Sequence, residues 1–288
     1  MTPSPHAHPE APIRLIATDL DGTLLRTDGG ISKRTCTVLA SLSAHDIPLV
    51  MVSARPPRSL REIASRIGVE GIAIGCNGAV VYNTSTDSIL DQWPLAAKVA
   101  TRLVTDLRER LPEACFAVEK SNSAGWERGY LAIRGRQPEP DDWIDDALTL
   151  CSAPVLKLLM RHPTLAADEM LAIDRTVARE EAIATHSGAP LLEISAPGVD
   201  KATALAALCA CLDIAPPSLM AFGDMPNDIP MLRWAGHGVA VANAHEDVLA
   251  IADATTPSSN DDGVACALEA LLASQNGYVS FTRGSWTP

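Results

Sequence analysis

The chain is poor in aromatic residues and contains no long apolar run. Phe, Trp and Tyr make up 4% of its 288 residues, although 47% of all residues are apolar and 20% are charged. This composition suits an ordinary globular protein, with enough length for one large domain or two modest ones. No apolar run approaches the ~20 residues that a membrane-spanning helix needs. We therefore expect no membrane association.

Basic residues are scarce relative to acidic ones. The chain has 23 Lys and Arg against 35 Asp and Glu, which gives a formal net charge of −12. Because nucleic-acid backbones require clustered Lys and Arg, this balance argues against a nucleic-acid partner. It is compatible with a small phosphorylated substrate, whose charge one Lys and a bound cation can neutralise.

Neither the cysteines nor the first residues indicate export. The seven cysteines are scattered, and Cys209 and Cys211 fall in a helical stretch where their side chains would point to different sides. They are better explained as small buried residues than as metal ligands. Met1–Pro12 lacks the basic start and apolar core of a signal peptide, so we predict a disordered tail over 1–12 and a cytoplasmic protein.

Short apolar runs alternate with helical segments in the first part of the chain. Ile13–Ala17, Pro48–Val52 and Ile72–Ile74 each end in polar or Gly residues, and helices are predicted to begin near Ser32 and Arg58. This order is typical of an α/β fold with a doubly wound parallel sheet, as in Rossmann-like domains.

The pattern changes near Val80 and resumes near residue 191. Between them, strand-like runs mix with helical stretches: Ser88–Gln92, Cys115–Glu119, Tyr130–Arg134 and Val155–Arg161 resemble strands, whereas Ala96–Arg110 and Leu165–Arg179 resemble helices. We predict an inserted α+β domain over 81–190, a core domain formed by 13–80 and 191–275, and a loose C-terminal tail over 276–288.

Polar side chains follow the predicted core strands. They are Asp19 and Asp21, Ser53, Asn77, and Asp224 with Asn227 and Asp228. Because ligands of open parallel sheets sit outside the carboxyl ends of the strands, we expect these residues to converge on one edge. The convergence of distant segments is a stronger signal than any single pair of aspartates.

The aspartates have the chemistry of phosphoryl transfer. The Asp19 carboxylate can attack phosphorus, and Asp21 can protonate the leaving oxygen and later deprotonate water. Carboxylates and phosphate repel one another, so a hard cation with oxygen ligands is needed, for which Mg²⁺ is suited. Its predicted ligands are Asp19, the main-chain carbonyl of Asp21, and Asp224, while Asp228 would orient a metal-bound water.

The phosphoryl oxygens also need hydrogen-bond donors. The predicted donors are the Ser53 hydroxyl with the neighbouring Ala54, the backbone N–H groups from Leu20 to Gly22, and the Lys201 ammonium.

Other residues keep two interpretations. Asn77 contacts phosphate or simply shapes a turn, Asn227 contacts phosphate or caps its helix, and Arg55 contacts substrate or forms a structural ion pair. Asn243 is predicted to brace the site from the fifth strand. In the inserted domain, Trp126, Arg128 and Arg134 either line a substrate pocket or only pack.

Three segments resemble a known superfamily. D-L-D-G-T-L at Asp19–Leu24, G-V-D-K-A-T-A-L at Gly198–Leu205 and G-D-M-P-N-D-I-P-M-L at Gly223–Leu232 resemble motifs one, three and four of the haloacid dehalogenase-like superfamily, and within it the Cof-type class IIB phosphatases. The resemblance implies a phosphoaspartyl intermediate, Mg²⁺ and a cap inserted after the third strand. Motif two departs from the usual T-G-R and reads S-A-R, and Met225-Pro226 replaces the usual loop residues of motif four.

The leading hypothesis is a magnesium-dependent phosphatase for a small phosphorylated metabolite, either a sugar phosphate or a nucleotide- or flavin-type phosphate. A phosphomannomutase-like transferase is an alternative, because such enzymes keep both aspartates. A non-catalytic binding protein on the same fold is the remaining alternative, and the complete set of charged groups argues against it.

Overall fold

The computed structural model describes residues 11–178, 180–187 and 190–273. The predicted tails, 1–12 and 276–288, lie outside the described residues except for residues 11 and 12. In the described part of the chain, no helix is both long enough and apolar enough to pass through a bilayer.

The first part of the chain forms two helices and five strands, and all five strands belong to one sheet. Ser32 caps the first helix, since its Oγ accepts a hydrogen bond of 3.0 Å from the backbone N–H of Thr35. The elements are β1 (Leu15–Thr18), α1 (Lys33–Ala44), β2 (Leu49–Val52), α2 (Pro57–Ile67), β3 (Ile72–Gly75), β4 (Val80–Asn83) and β5 (Ser88–Gln92).

The middle of the chain forms a second sheet of six strands, which is antiparallel except where β7 pairs with β8. Its elements are α3 (Ala97–Arg110), β6 (Cys115–Glu119), β7 (Ala124–Trp126), α4 (Arg128–Arg134), β8 (Trp143–Ile144), α5 (Ala147–Leu150), β9 (Lys157–Arg161), α6 (Ala167–Ala178), β10 (Ile183–Thr185) and β11 (Leu192–Ser195).

The last part of the chain returns to the first sheet and completes it. Its elements are α7 (Lys201–Cys211), β12 (Leu219–Gly223), α8 (Ile229–Trp234), β13 (His237–Val241), α9 (Glu246–Ile251), β14 (Ala254–Thr256) and α10 (Gly263–Ala273). The order across this sheet is β14-β13-β12-β1-β2-β3-β4-β5. The strands from β14 to β3 are parallel, and β4 and β5 are antiparallel.

Alternate residues of the central strands pack on opposite faces of the first sheet. In β1, Ile16 belongs to the core formed with α1, α2 and α10, whereas Leu15 and Ala17 belong to the core formed with α7 and α8. A strand buried on both faces reads as a continuous apolar run, which is why the period-two alternation of a half-exposed strand is missing here. The predicted doubly wound α/β fold is confirmed.

The structure moves the predicted boundaries of the inserted domain. β4 and β5 are hydrogen bonded into the first sheet, although we predicted the insertion to begin at residue 81. β11, beyond the predicted end at residue 190, pairs with β9 and β10 of the second sheet. We therefore propose residues 93–196 as the inserted domain, which we call the cap.

One predicted strand is wrong. Tyr130–Arg134 lies in helix α4, not in a strand, and the helix ends at Gly135, which adopts the left-handed conformation at φ 73°. Tyr130 and Leu131 are buried against the cap sheet. Two adjacent buried residues can lie on one side of a short helix. A run of only five residues is too short for its apolar pattern to distinguish a helix from a strand.

Candidate active site

The loop after β1 holds Asp19 at the carboxyl edge of the first sheet. The Asp19 N–H continues the strand ladder by donating to the Phe222 carbonyl at 2.9 Å, and the chain then turns sharply where Leu25 N donates to Leu20 O at 2.7 Å. Gly22 makes the turn possible with φ +79°, and a Cβ at this position would overlap Oδ2 of Asp224. The turn therefore requires glycine for both backbone conformation and space.

Lys201 joins two of the predicted carboxylates. Its ammonium donates hydrogen bonds of 2.6 Å to Oδ1 of Asp19 and 2.6 Å to Oδ1 of Asp228. Lys201 is the first residue of α7, and Asp200 fixes that helix end by accepting from Thr203 N at 2.7 Å. The hydrogen bonds of Asp200 at the start of α7 thus set the direction from which the Lys201 ammonium enters the site.

Asp228 organises the loop after β12. Its Oδ2 accepts the backbone N–H groups of Asp224 at 3.1 Å and Met225 at 3.0 Å, and its side chain is fully buried. The hydroxyl of Thr23 donates to Oδ1 of Asp224 at 2.7 Å, which ties the two loops together. Both oxygens of Asp228 are therefore occupied in holding other groups of the site.

The three carboxylates form the one candidate metal cluster within the described residues. One oxygen of each of Asp19, Asp224 and Asp228 lies within 4.8 Å of the others. Burial raises the pKa of Asp19 well above its ordinary value, although the Lys201 ammonium opposes this shift. Burial and the charge of Asp228 raise the pKa of Asp224 to about 6.

The balance of charge in this cluster leaves room for one more cation. Burial alone would lower the pKa of Lys201, yet the carboxylates of Asp19 and Asp228 outweigh it and raise that pKa. Lys201 is thus a firmly charged group, but it is a single ammonium among three buried carboxylates. An oxygen-ligated divalent ion fits this donor set, because hard cations such as Mg²⁺ prefer carboxylate and carbonyl oxygens.

Asp21 is paired with Arg55. The Arg55 guanidinium donates to both oxygens of Asp21, with Nε 2.7 Å from Oδ2 and Nη2 2.5 Å from Oδ1. The Asp21 side chain is 55% exposed, in contrast to the buried Asp19. Of the two interpretations of Arg55, the structure shows the ion pair, and its partner is the predicted proton donor.

Two of the predicted phosphate-binding residues, Ser53 and Asn77, follow β2 and β3, the strands next to β1 in the sheet. Ser53 follows β2 and is buried, and its Oγ accepts the Arg55 N–H at 3.2 Å. Asn77 follows β3 in the left-handed conformation at φ 57°; its backbone N–H donates to Ser53 O at 3.1 Å and its Oδ1 accepts from Asn227 Nδ2 at 3.2 Å. Ala54 is half-buried between Ser53 and Arg55.

Asn243 supports the loop of Asp19 from behind. Its Nδ2 donates to the Gly22 carbonyl at 2.8 Å, and its Oδ1 accepts the Ser259 N–H at 2.8 Å. The predicted residues of the core therefore follow the ends of β1, β2, β3, β12 and β13, except Lys201, which begins α7. Of the predicted cap residues, Trp126 and Arg134 line a cavity that also contains Arg55, while Arg128 is exposed outside that lining.

The sequence matches a known family over most of its length. The sequence model of the family described as haloacid dehalogenase-like hydrolase matches residues 16–268. The chain belongs to the haloacid dehalogenase-like hydrolases. The family, the fold and the enzyme class that we predicted, a phosphoric monoester hydrolase, are thereby confirmed, since the named relatives of this hydrolase are phosphatases.

Three relatives illustrate the similarity. The 5-amino-6-(5-phospho-D-ribitylamino)uracil phosphatase of Bacillus subtilis is 27% identical over 89% of the hydrolase and 94% of its own chain. The phosphoglycolate phosphatase of Haloarcula marismortui is 30% identical over 86% and 92%, respectively. A crystal structure from Streptococcus mutans has a TM-score of 0.81 at 26% identity and covers 91% of the hydrolase and 100% of its own chain.

Two site residues of the hydrolase were not predicted from the sequence. Lys157 of the cap is 3% exposed; its ammonium pairs with the buried Glu193 and donates to the Ala54 carbonyl at 2.7 Å. Burial would lower the pKa of Lys157, but the Glu193 carboxylate raises it. A Lys directly before three apolar residues of a strand was the available signal, since unpaired lysines are almost never buried.

Proposed function

We propose that this hydrolase is a magnesium-dependent phosphatase that cleaves a small phosphorylated metabolite through a phosphoaspartyl intermediate on Asp19. The observation that carries the proposal is the hydrogen bond of 2.6 Å between Lys201 and Oδ1 of Asp19. It holds a buried carboxylate in one orientation, with two further carboxylates beside it. A buried, oriented carboxylate next to a cation is suited to nucleophilic attack on phosphorus.

In the first half of the reaction, Asp19 forms a bond to phosphorus. Because Oδ1 is held by Lys201, the attack is made by Oδ2, and the bond between phosphorus and the ester oxygen breaks. Asp21 supplies the proton that the leaving oxygen needs. This requires the Asp21 side chain to separate from Arg55, and its 55% exposure leaves it space to do so.

In the second half, water attacks the phosphorus of the acyl phosphate. Asp21, now deprotonated, accepts a proton from that water, the bond between phosphorus and Asp19 breaks, and inorganic phosphate leaves. Over the two halves, one ester and one water molecule are converted into one alcohol and one inorganic phosphate. The same side chain acts first as acid and then as base, so both halves depend on it.

The metal would be held by Asp19, Asp224 and the main-chain carbonyl of Asp21, with Asp228 orienting a metal-bound water. When bound, Mg²⁺ neutralises the phosphoryl oxygens and relieves their repulsion from the surrounding carboxylates. Asp228 supports the loop by accepting the Asp224 and Met225 N–H groups. These contacts hold the Asp224 side chain close to Asp19.

The phosphoryl group would be bound by the Ser53 hydroxyl, by backbone N–H groups at Leu20–Gly22 and Ala54, and by the ammonium of Lys201. An ammonium has three protons, and Lys201 uses two on Asp19 and Asp228, so one remains for a phosphoryl oxygen. Asn77 and Asn227 hydrogen bond to each other beside this group, and we propose that they border it.

The relatives act on different phosphate esters, so they support the class of substrate rather than one compound. Their names specify phosphoglycolate in one case and a ribitylaminouracil phosphate in another. A small phosphorylated metabolite is common to both. We also propose a cytoplasmic location, which the seven unpaired thiols support.

A phosphate-release screen tests the proposal. Sugar phosphates, nucleotides and flavin mononucleotide would be supplied with Mg²⁺ or with excess chelator, and Asp19→Asn would be assayed in parallel. We expect hydrolysis of at least one ester with Mg²⁺, and none in chelator or with the variant. Full activity of Asp19→Asn would contradict the nucleophile, and full activity in chelator would contradict the metal.

A further inference from the structure

Asp21 is held less firmly in the site than Asp19. The Asp19 N–H continues the strand ladder, and its carboxylate is fixed by Lys201. The Asp21 side chain is 55% exposed, and it must leave Arg55 before it can reach the leaving oxygen. A proton donor has to come within hydrogen-bond reach of its acceptor. The reach of Asp21 therefore depends on how its own loop, residues 19–31, is held; we call this segment the Asp21 loop.

The loop between β14 and α10, residues 257–262, contacts the Asp21 loop through two side chains. Oδ1 of Asn260 accepts hydrogen bonds from the Thr27 N–H at 3.1 Å and from the Thr27 hydroxyl at 3.2 Å. Oδ1 of Asp262 accepts from Nη2 of Arg26 at 2.8 Å. Within the described residues, neither Asn260 nor Asp262 hydrogen bonds to the carboxylates of the metal cluster or to Lys201. Their link to the reacting groups is therefore the loop that carries Asp21.

A further contact joins the same two loops directly beside Asp21. The Ser259 N–H donates to Oδ1 of Asn243 at 2.8 Å, and Nδ2 of Asn243 donates to the Gly22 carbonyl at 2.8 Å. Gly22 follows Asp21 in the chain, so the β14–α10 loop supports the Asp21 loop next to the proton donor as well as further along it. The position of Asp21 therefore depends on a loop that is distant in sequence.

The β14–α10 loop is itself compact. Its ends meet at Gly263, whose N–H donates to the Ser258 carbonyl at 3.0 Å and whose carbonyl accepts from the Thr256 hydroxyl at 2.6 Å. A Cβ on Gly263 would lie 1.8 Å from the Pro257 carbonyl oxygen, so the position accepts only glycine. Asp262 adopts the left-handed conformation at φ +60°, which Asp and Asn tolerate better than most other residues. This closed backbone provides a firm support for the Asp21 loop.

We propose that the β14–α10 loop positions the proton donor of the reaction, with Asn260 and Asp262 as positioning residues that act on Asp21 through Thr27 and Arg26. The inference rests on the proposed phosphatase function and adds residues to it that do not touch the substrate. A misplacement of about 1 Å at a reacting group can lower a rate on the order of 100-fold, so contacts outside the site can affect proton transfer.

The test compares two kinds of phosphate ester whose leaving groups differ in their need for a proton. A nitrophenolate ion is a stable leaving group, so p-nitrophenyl phosphate can be cleaved without a proton donor. The alkoxide of a sugar phosphate, a nucleotide or flavin mononucleotide has to be protonated. The value of kcat/KM reports the steps up to formation of the acyl phosphate, in which Asp21 acts as the acid. It would be measured with Mg²⁺ for p-nitrophenyl phosphate and for the alkyl ester that is hydrolysed fastest in the screen.

The variants remove or conserve the two contacts. Arg26→Ala combined with Asn260→Ala removes both, and Arg26→Lys combined with Asn260→Asp keeps a cation for Asp262 and an oxygen acceptor for Thr27. Asn260→Ala alone, at an exposed position, keeps the test available if the double alanine variant does not fold. Arg34→Ala is the control, since Arg34 pairs with Glu269 of α10 and, among the described residues, contacts neither loop.

We expect the double alanine variant to lower kcat/KM by about tenfold for the alkyl ester and by no more than about twofold for p-nitrophenyl phosphate. Asn260→Ala alone should act in the same direction. The conservative pair should stay within about threefold of the wild type for both esters, because each contact uses one donor or one acceptor atom that the replacement retains. Arg34→Ala should leave both values unchanged.

Failure of this inference is distinguishable from failure of the phosphatase function. If the double alanine variant and Asn260→Ala lower the two values equally, or if the conservative pair loses as much as the alanine pair, the β14–α10 loop supports only the fold and the inference is overturned. The phosphatase function stands in both cases. A loss in Arg34→Ala that is confined to the alkyl ester would also contradict the assignment. If the wild type hydrolyses no ester, the phosphatase function itself fails.

Discussion

Lys201 donates a hydrogen bond of 2.6 Å to Oδ1 of Asp19, a residue 182 positions earlier in the chain. The two side chains meet because β1 ends, and α7 begins, at the same edge of the first sheet. The same ammonium also contacts Asp228, so it neutralises two carboxylates from two different loops. We therefore expect the hydrogen bond between Lys201 and Asp19 to affect both the stability of the fold and the activity of the site.

Replacement of Lys201 by Met should damage stability and activity together. It leaves two buried carboxylates without their cation, and loss of one partner of a buried ion pair costs about 3–5 kcal/mol. Urea unfolding in chelator, where bound metal cannot replace the ammonium, would measure the change. We expect phosphate release to fall by about 10²–10³-fold. Lys98→Met, at an exposed position of α3, is the control, and equal urea midpoints for both variants would contradict the prediction.

A pair of glycine substitutions separates backbone strain from damage to the site. Gly22 and Gly29 have φ of +79° and +74°, but only a Cβ on Gly22 meets another residue, Asp224. Both Gly→Ala variants should lose about 1 kcal/mol from the left-handed conformation. Only Gly22→Ala should lose activity, by about 100-fold, because it displaces a carboxylate of the metal cluster. Thermal unfolding and phosphate release would be measured for both, and equal activities would refute the explanation.

Asp174 should make the folded protein less stable as pH rises. It lies on α6, is 1% exposed, and burial raises its pKa from 3.8 to about 6. Well below pH 3.8 the carboxyl is neutral in both states and has no effect. Between pH 4 and 6 only the unfolded chain loses the proton, so folding becomes less favourable, and the full penalty of up to about 3 kcal/mol is present above pH 6.

Asp174→Asn therefore should stabilise the protein at pH 8, by about 1–3 kcal/mol, and have little effect at pH 4. Urea unfolding of the wild type and the variant across this pH range gives the difference between their free energies of unfolding. The contributions of the other titrating groups cancel in that difference. Glu109→Gln, which removes a carboxylate from an exposed position of α3, is the control. A constant difference for Asp174→Asn would show that its carboxyl is not neutral in the folded state.

The candidate site residues whose places in the fold follow from the sequence are those that come directly after a strand. Asp19, Ser53, Asn77 and Asp224 each follow an apolar strand, and parallel strands carry their ends to one edge whatever their loops do. The pairing of Asp21 with Arg55 could not be predicted in this way, because it depends on two side-chain rotamers in exposed loops. The spacing of apolar residues along the sequence indicates which face of a helix or strand a residue occupies. It does not indicate which other side chain that residue contacts.

The cap was harder to predict than the core for a related reason. Its antiparallel strands are short, and α4 offers only two adjacent buried residues, Tyr130 and Leu131, so strand and helix fit it equally. We propose a later boundary than Val80 because β4 and β5 extend the first sheet as an antiparallel edge. The change of pattern marks the end of the parallel strands and not the end of the core domain.

The buried pair of Lys157 and Glu193 provides a last prediction, about coupling between the cap and the catalytic loops. Lys157→Met leaves Glu193 without a cation and removes the hydrogen bond to the Ala54 carbonyl, so it should cost about 3–5 kcal/mol. Adding Glu193→Gln should recover part of that loss, because the unpaired charge is then gone. A double-mutant cycle by urea unfolding gives the interaction energy.

The exposed pair of Arg34 and Glu269 serves as the matched control for this cycle. Its side chains are 46% and 41% exposed, so its interaction energy should be about 0–1 kcal/mol. Since Lys157 holds the loop that contains Ser53, its loss should also raise KM more than it lowers kcat, and the control pair should change neither. If the two cycles give equal interaction energies, the Lys157 ammonium is solvated in solution and the cap does not hold the phosphate-binding loop through it.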